Sequence, residues 1–235
     1  ISMKISKLII RISLIIIFFL SFTSISKAHL AHYKDINKIE MEIIRNGKVI
    51  GYNFYFFKRS KDELIVTNQI YFKVKILGAT VFKVEGYGEE KYLNDKLISY
   101  NSKTLQNDKE KYVNLIFDEK DDKFNIKGSS YTGKALSNNI IGSWWNHKIL
   151  QASSQISPIS GSIKEQVVTF VGKKKIEQNG QTYLVDHFKL KSKDKSLPKD
   201  KRLDFDIWLE KKNSMIIKVS YSRMGNWEYR LKNFE

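Results

Sequence analysis

Hydrophobic and polar residues alternate along most of the chain that follows the apolar N-terminal segment. Apolar residues at every second position are typical of strands that bury one face and expose the other. The clearest runs are Ile39-Met41-Ile43, Phe72-Val74-Ile76, Val113-Leu115-Phe117, Phe205-Ile207-Leu209, Ile217-Val219-Tyr221 and Trp227-Tyr229-Leu231. This pattern predicts an all-β protein that is mainly antiparallel.

Short polar pairs separate the runs, as tight hairpin turns require. Asn-Gly fits the backbone of a two-residue hairpin best, and it occurs at Asn46-Gly47 and Asn179-Gly180. Further turns are predicted at Asn94-Asp95, Asn107-Asp108 and Lys212-Asn213. Runs and turns together predict about ten strands.

Residues 136–152 are the exception to the alternation. Ile141, Trp145 and Ile149 recur every four residues, so they would share one face of a helix. A curved sheet must cover its apolar face by closing, by folding over or with a helix. We therefore predict a curved sheet or half-barrel in which this segment is a short helix acting as a plug. Such architectures commonly enclose a cavity for an apolar ligand.

The N-terminal segment has the order of a secretory signal peptide. Three basic residues between Lys4 and Arg11 precede an uncharged apolar run at residues 12–22. Ser26 and Ala28 then supply the small residues that a signal peptidase recognises. Residues 1–28 are therefore predicted to be a signal peptide, cleaved after Ala28.

Cleavage would leave residues 29–235. These are predicted to form a single β-rich domain, because no repeat, linker or change of composition divides them. The exported chain is expected in the periplasm, with no transmembrane segment after signal cleavage. The alternative is that the N-terminal segment stays as a membrane anchor. Its apolar run is shorter than the roughly 20 residues that span a bilayer, which favours cleavage.

Composition excludes several classes of function. The 235 residues include no Cys, which excludes disulfides, thiolate metal sites, Cys nucleophiles and a lipid anchor on an N-terminal Cys. The predicted signal peptide holds four of the 41 basic residues and no acidic ones. The remaining chain therefore has 37 basic against 25 acidic residues, a net charge of +12.

The positive charge comes from scattered Lys. The chain has 35 Lys and six Arg, and its longest basic run is Lys173–Lys175. Nucleic-acid binding favours Arg and clustered basic patches with stacking aromatic residues, so no nucleic-acid partner is expected. AT-rich codons explain the Lys content most simply, and attraction to an anionic envelope surface is the functional alternative.

Several short motifs follow one another in an order that resembles a known family. They are Gly47–Gly51, Glu90–Leu97, Ser102–Thr104, Asn107-Asp108, Ser143–Asn146 and Asp206–Leu209. Over about residues 36–234 this order resembles DUF6134, a family of exported bacterial proteins whose function is unknown. Asp95 and Asp108 stand where that family usually has Gly. The resemblance implies an exported β-rich protein, distantly similar to the curved-sheet carriers of lipids and lipoproteins in the bacterial envelope. It implies no catalytic residues.

The pair Trp144-Trp145 is the best candidate for a binding site. Adjacent Trp side chains point in different directions, so one can fill the core while the other forms the wall or lid of a pocket. The alternative is purely structural, with one Trp in the core and the other over a sheet edge. We predict that Trp144, Trp145, Asn146 and Ile149 bind a ligand.

Other chemistry-bearing residues form weaker patterns. His29 and His32 could bind copper if His29 became the N-terminus, but nothing fixes a further ligand, so no metal or cofactor is expected. Asp204 and Asp206 share a strand face and could form an acid/base pair. Alternate polar positions are expected on a solvated face in any case. A binding protein is therefore favoured over an enzyme.

Three functions follow from these patterns. The first is an exported, non-catalytic protein that binds or carries an apolar ligand such as a lipid. The second is a structural or interaction module of the envelope, with a solid core and an exposed aromatic patch at Trp144 or Trp208. The third is a hydrolase that acts on envelope polymers through Asp204 and Asp206. A cavity beneath residues 136–152 distinguishes the first function from the second.

Overall fold

The computed structural model describes residues 33–235, of which residues 35–235 form one compact β-rich unit. The predicted signal peptide lies outside the described residues. Fifteen strands form a sheet that is antiparallel except for the pair β9–β10. The strands are β1 (Lys38–Arg45), β2 (Lys48–Ser60), β3 (Glu63–Ile76), β4 (Ala79–Leu93), β5 (Lys96–Gln106), β6 (Lys109–Asp118), β7 (Lys123–Gly128), β8 (Thr132–Leu136), β9 (Ile140–Ile141), β10 (Ser154–Ile156), β11 (Ile163–Gln178), β12 (Gln181–Ser192), β13 (Asp204–Glu210), β14 (Met215–Ser222) and β15 (Asn226–Phe234).

Two arms of the sheet meet where the first strand pairs with the last. Strands β1 to β8 follow one another outward on one side, and β15 back to β9 follow on the other. The outermost strands, β8 and β9, are joined by residues 137–139 alone. Because successive Cα atoms are about 3.8 Å apart, the two edges lie within about 15 Å of each other. The sheet is therefore curled into an open barrel.

The predicted all-β class is confirmed. Ile39, Met41 and Ile43 are buried on one face of β1, and each of the five predicted turns joins two consecutive strands. The strand number is fifteen where about ten were predicted. Three of the additional strands, β8 to β10, are two to five residues long, and strands of that length show too little alternation to be recognised.

The predicted helix at residues 136–152 is much shorter than expected. Strand β8 ends at Leu136, β9 follows, and only His147–Leu150 is helical, as a 3-10 helix. The Asn146 side chain accepts a hydrogen bond from the backbone N–H of Lys148 at 3.1 Å and caps this turn. Asn and Gly residues between the apolar positions favour turns, which explains why a continuous helix does not form.

Antiparallel pairing places the hairpin turns alternately at two ends of the barrel. We call them the upper and the lower end. The upper turns are residues 46–47, 77–78, 107–108, 129–131, 157–162, 193–203 and 223–225, and the lower turns are residues 61–62, 94–95, 119–122, 179–180 and 211–214. Within residues 33–235, no helix has both the length and the apolar character needed to cross a bilayer.

Candidate ligand-binding cavity

Residues 142–162, here called the inner segment, cross the interior of the curled sheet at residues 144–149 and rejoin the sheet as strand β10. Its side chains Trp145, Ile149 and Ile156 are almost completely buried. The Gln166 side chain of β11 holds the segment by donating to the carbonyl oxygens of Ile149 and Ala152, at 2.8 and 3.0 Å. The segment therefore contacts the wall of the barrel through buried polar bonds as well as apolar packing.

Trp145 fixes the inner segment to the opposite wall. Its indole Nε1 donates to Glu90 Oε1 on β4 at 2.9 Å. Its ring packs edge-on against Phe57 and Tyr92, with centroids 5.3 and 6.0 Å away. Tyr92 also donates to the other oxygen of Glu90, at 2.5 Å. One buried carboxyl group thus organises the aromatic contacts on this side.

Burial raises the pKa of Glu90 to about 7, because removal from water penalises the charged carboxylate. The hydrogen bonds from Trp145 and Tyr92, with the nearby hydroxyl of Ser143, oppose this effect. Strand alternation explains how a carboxyl group reaches the interior. Glu90 is two residues from Tyr92 and lies on the same inward face of β4.

Three more hydrogen bonds hold the inner segment on this side. The backbone N–H of Trp144 donates to the Tyr55 hydroxyl at 3.1 Å. Further along, the carbonyl oxygen of Pro158 accepts from Tyr100 and Ser102 at 3.0 and 2.7 Å. Polar side chains of strands β2, β4 and β5 therefore bind the inner segment at several points, and they are largely occupied by it.

The inner segment fills one side of the interior. Ile149 packs there against buried residues of β12, β13 and β14, namely Leu190, Ile207, Ile216 and Val219, with Leu203 from the preceding loop. The Trp144 ring covers the boundary of this cluster, with Phe205 at 5.1 Å and Tyr229 at 6.1 Å between ring centroids. We call this the filled side.

The other side holds a cavity of about 680 Å³ between the sheet and the inner segment. Its walls carry a second apolar cluster, formed by Phe72, Val74 and Val84 of β3 and β4 and by Trp227 of β15. Glu90 and Tyr100 line its inner part and are almost completely buried. We call this the open side.

The cavity opens at the upper end of the barrel, where lining residues become exposed. Ile76, Val81 and Met224 line it and are 52%, 47% and 90% exposed. Two arginines, Arg45 and Arg223, also line it near these turns. Arg45 donates to the Met224 carbonyl oxygen at 2.5 Å, and its guanidinium lies 5.7 Å from the centroid of the Trp227 ring. The entrance is therefore apolar with a basic margin.

Comparison with protein families adds a decisive finding. The family model of DUF6134, a domain of unknown function, matches residues 41–232, which is most of the chain. The chain belongs to the DUF6134 family. The resemblance seen in the sequence motifs is thereby confirmed. No curated protein matches this DUF6134 chain.

A solved structure shares the fold of this DUF6134 protein. It is the beta-barrel-like protein of domain of unknown function DUF1849 from Brucella abortus, which matches with a TM-score of 0.58. The match covers 85% of this chain and 97% of the other, at 9% sequence identity. At that identity the likeness concerns the fold alone, and it supports the barrel-like architecture.

The four residues predicted to bind a ligand occupy different places in the DUF6134 protein. Trp144 lines the cavity. Trp145, Asn146 and Ile149 are almost completely buried and lie outside its lining. Contact of any of them with a ligand stays a prediction. The two adjacent Trp side chains do separate as expected, one deep in the interior and the other at the cavity wall.

Sequence reasoning missed most of the cavity. Its walls come largely from β3, β4 and β5, and its inner carboxyl group is Glu90. A signal for Glu90 was present, because a charged residue stood in phase with the apolar positions Val84 and Tyr92. The entrance residues gave no comparable signal, since their proximity depends on the curl of the sheet.

Asp204 and Asp206 lie on the outer face of the sheet. Asp206 pairs in register with Ser220, and Ser220 pairs with Glu228. Ser220 and Glu228 alternate with the cavity-lining residues Tyr221, Trp227 and Tyr229, so Asp206 lies on the opposite face. Lys189 binds both Asp carboxylates, at 2.7 and 2.8 Å. His187 binds Asp206 at 2.8 Å. These carboxylates therefore belong to a surface ion-pair network.

The aromatic patch expected of a surface-acting module differs from the observed arrangement. Trp144 is half-buried against Phe205 and Tyr229, and Trp208 stacks on His187 with ring centroids 4.7 Å apart. Within the part of the chain that the structure describes, no group of three His, Asp or Glu residues could hold a metal ion. The His29-His32 motif lies outside that part.

Proposed function

We propose that this DUF6134 protein is a non-catalytic binding or carrier protein for an apolar ligand that contains an acyl chain. The observation that carries the proposal is the cavity of about 680 Å³ between the inner segment and strands β3 to β5. Pockets that hold organic ligands commonly measure about 300–1,000 Å³ and are mostly apolar, with a few polar groups. The cavity has this size and this character.

The distribution of polar groups favours one orientation of the ligand. The inner part offers Glu90, whose pKa is raised to about 7, so that much of it is uncharged near neutral pH. The entrance offers the cations Arg45 and Arg223. A charged head group costs free energy when it is buried without a partner and gains from opposite charges near water. The acyl chain of the ligand would therefore point into the cavity, and an acidic head group would lie at the entrance.

Binding of cis-parinaric acid, a fluorescent fatty acid, tests the proposal. We expect saturable binding with one molecule per protein. Ile70 lines the cavity and is half-buried, so Ile70→Trp would occupy the space and weaken binding at least tenfold. Gln69 is exposed on the opposite face of the same strand, and Gln69→Trp would leave binding unchanged.

Circular dichroism would establish that both Trp variants are folded. Absence of saturable binding by the unaltered protein would refute the proposal. Equal binding by folded Ile70→Trp and Gln69→Trp variants would also refute it, since the probe would then be binding elsewhere.

We also propose that the protein is exported to the periplasm after cleavage between Ala28 and His29. The proposal rests on the basic, apolar and small-residue order of residues 1–28. N-terminal sequencing of protein from the periplasmic fraction would give His29 as the first residue. Membrane-bound protein that retains residues 4–28 would identify an anchor instead.

A further inference from the structure

Two upper turns beside the cavity entrance present bulky apolar side chains to water. Leu77 lies between β3 and β4 and is fully exposed, at 103%. Met224 lies between β14 and β15 and is 90% exposed. Leu77 directly follows Ile76, which lines the cavity, and Met224 lines it as well. The most exposed apolar side chains therefore stand at the rim of the cavity.

The backbone of both residues makes their identity unusual. Leu77 and Met224 have φ angles of 49° and 48°, in the left-handed region that Asn, Asp and Gly adopt most readily. The other nine non-glycine residues with positive φ are all Asn, Asp, Lys or Ser. An apolar side chain at such a turn is unfavourable for the isolated fold, both in backbone energy and in exposure to water.

The charge around the rim is positive. The hairpin segment 71–84 contains Lys73, Lys75 and Lys83 and no acidic residue, and Arg223 precedes Met224. Asp108, Asp194 and Asp200 also lie at the upper end, but basic residues outnumber them there, with five in residues 193–203 and Arg223. At the lower turns, acidic residues such as Asp62, Asp95, Asp121 and Asp122 outnumber the basic ones. Apolar side chains flanked by cations are the combination that binds the interface of a bilayer containing anionic lipids.

We propose that the upper end of the barrel docks on an anionic bilayer, with Leu77 and Met224 inserted among the lipids. Lys73, Lys75 and Arg223 would lie near the head groups, and their aliphatic parts would follow the apolar surface. Docking in this orientation places the cavity entrance against the bilayer. Docking itself does not depend on the proposed function. Its corollary, that the bilayer supplies or receives the ligand, rests on the proposed function.

Flotation with lipid vesicles tests the docking. We expect the purified protein to bind vesicles of phosphatidylglycerol and phosphatidylethanolamine much more strongly than vesicles of phosphatidylcholine. The substitutions Leu77→Asn and Met224→Asn suit the left-handed backbone, so the variant would remain folded. Together they would reduce binding to the anionic vesicles at least tenfold.

Leu184→Asn is the matched control. Leu184 is 67% exposed on strand β12, so the same chemical change removes an exposed apolar side chain without altering a turn at the rim. This variant would bind the vesicles as the unaltered protein does. Equal binding by the unaltered protein and the Leu77→Asn/Met224→Asn variant would overturn the inference.

Two further outcomes separate the alternatives. A dimer of the unaltered protein that Leu77→Asn abolishes, seen by sedimentation velocity, would assign the rim to a second copy and overturn membrane docking. Leu77 lies outside the cavity lining, so Leu77→Asn should keep binding cis-parinaric acid without vesicles. Loss of vesicle binding with retained probe binding supports docking, whereas failure of the probe alone affects only the proposed function.

Discussion

The filled side and the open side of the barrel are built from strands with the same alternation, but their inward faces meet different surroundings. On the filled side, Ile149 of the inner segment completes a cluster with Leu190, Ile207 and Val219. On the open side, Phe72 and Trp227 face a cavity instead of a further layer of side chains. Alternation therefore determines which residues face inward, and the path of the inner segment determines where the interior is empty.

This difference separates stability from binding. Close packing makes residues of the filled side sensitive to any loss of volume. Residues of the open side already border empty space, so their side chains contribute less to stability and are available for contact with a ligand. Trp145 and Glu90 lie where the inner segment meets the wall of the open side.

The largest expected effect is that of Trp145→Ala. It would remove a buried ring, leave space in the core and take a donor from Glu90, and we expect a loss of about 3–5 kcal/mol of unfolding free energy. Urea denaturation measures it. Trp145→Phe is the control, because it keeps most ring contacts and removes the Nε1 bond; it should cost less. A loss below about 1 kcal/mol for Trp145→Ala would contradict this position for Trp145.

The two sides can be compared directly with the same substitution. Ile149→Ala on the filled side should cost about 2–5 kcal/mol. Ile70→Ala on the open side should cost about 1 kcal/mol, since Ile70 is half-buried and borders the cavity. Denaturation curves of both variants provide the measurement. Equal costs would mean that the open side is packed like the filled one.

Glu90 gives the open side a dependence on pH. Its pKa is about 7 in the folded state and near 4.5 when unfolded, so the unfolded chain loses its proton first as pH rises. The free energy of unfolding therefore decreases, because of this group, as the pH rises from about 4.5 to about 7. From pH 5 to pH 8 the loss should be about 2–3 kcal/mol.

Glu90→Gln would remove this part of the pH dependence, because the amide does not titrate. Urea denaturation of both proteins at several pH values measures the difference. Parallel stability profiles for the unaltered protein and Glu90→Gln would mean that the carboxyl group titrates as it does in water.

The smallest effect is expected outside the barrel. Asp206→Asn would weaken the partly exposed ion pair with Lys189, and pairs of this kind contribute about 0–1 kcal/mol. The amide oxygen of Asn could still accept a hydrogen bond from the buried His187. Binding of cis-parinaric acid should be unchanged. A loss of probe binding comparable to that of Ile70→Trp would show that the outer face and the cavity are coupled.

Much of the fold could be predicted because its information is local. Burial of Ile39, Met41 and Ile43 follows from alternation, and the turns at Asn46-Gly47 and Asn179-Gly180 follow from the preference of these residues for positive φ. The turns at Leu77 and Met224 were missed although Gly78 and Gly225 follow these residues, because an apolar residue before Gly departs from the polar pattern of the other turns. The spacing of Ile141, Trp145 and Ile149 marked their burial correctly, although only the four residues His147–Leu150 are helical.

The cavity was predicted in kind but not in composition. The sequence around Trp144 predicted a segment inside the curved sheet, and this segment does lie there. The contributions of Phe72, Val84 and Trp227 depend on strands that approach one another only after the sheet curls. Such proximity comes from the pairing of β1 with β15 and from the path of the inner segment, and no short stretch of sequence encodes either.

The pairing of β1 with β15 also has a consequence for how the chain folds. Ile39 lies opposite Phe234, at almost the full length of the domain, whereas most other neighbouring strands follow one another in sequence. Nearby hairpins form fast, and contacts between distant residues form slowly because a long loop must close first. We therefore expect each arm to form before the seam between β1 and β15, and the seam to be the slow step of folding.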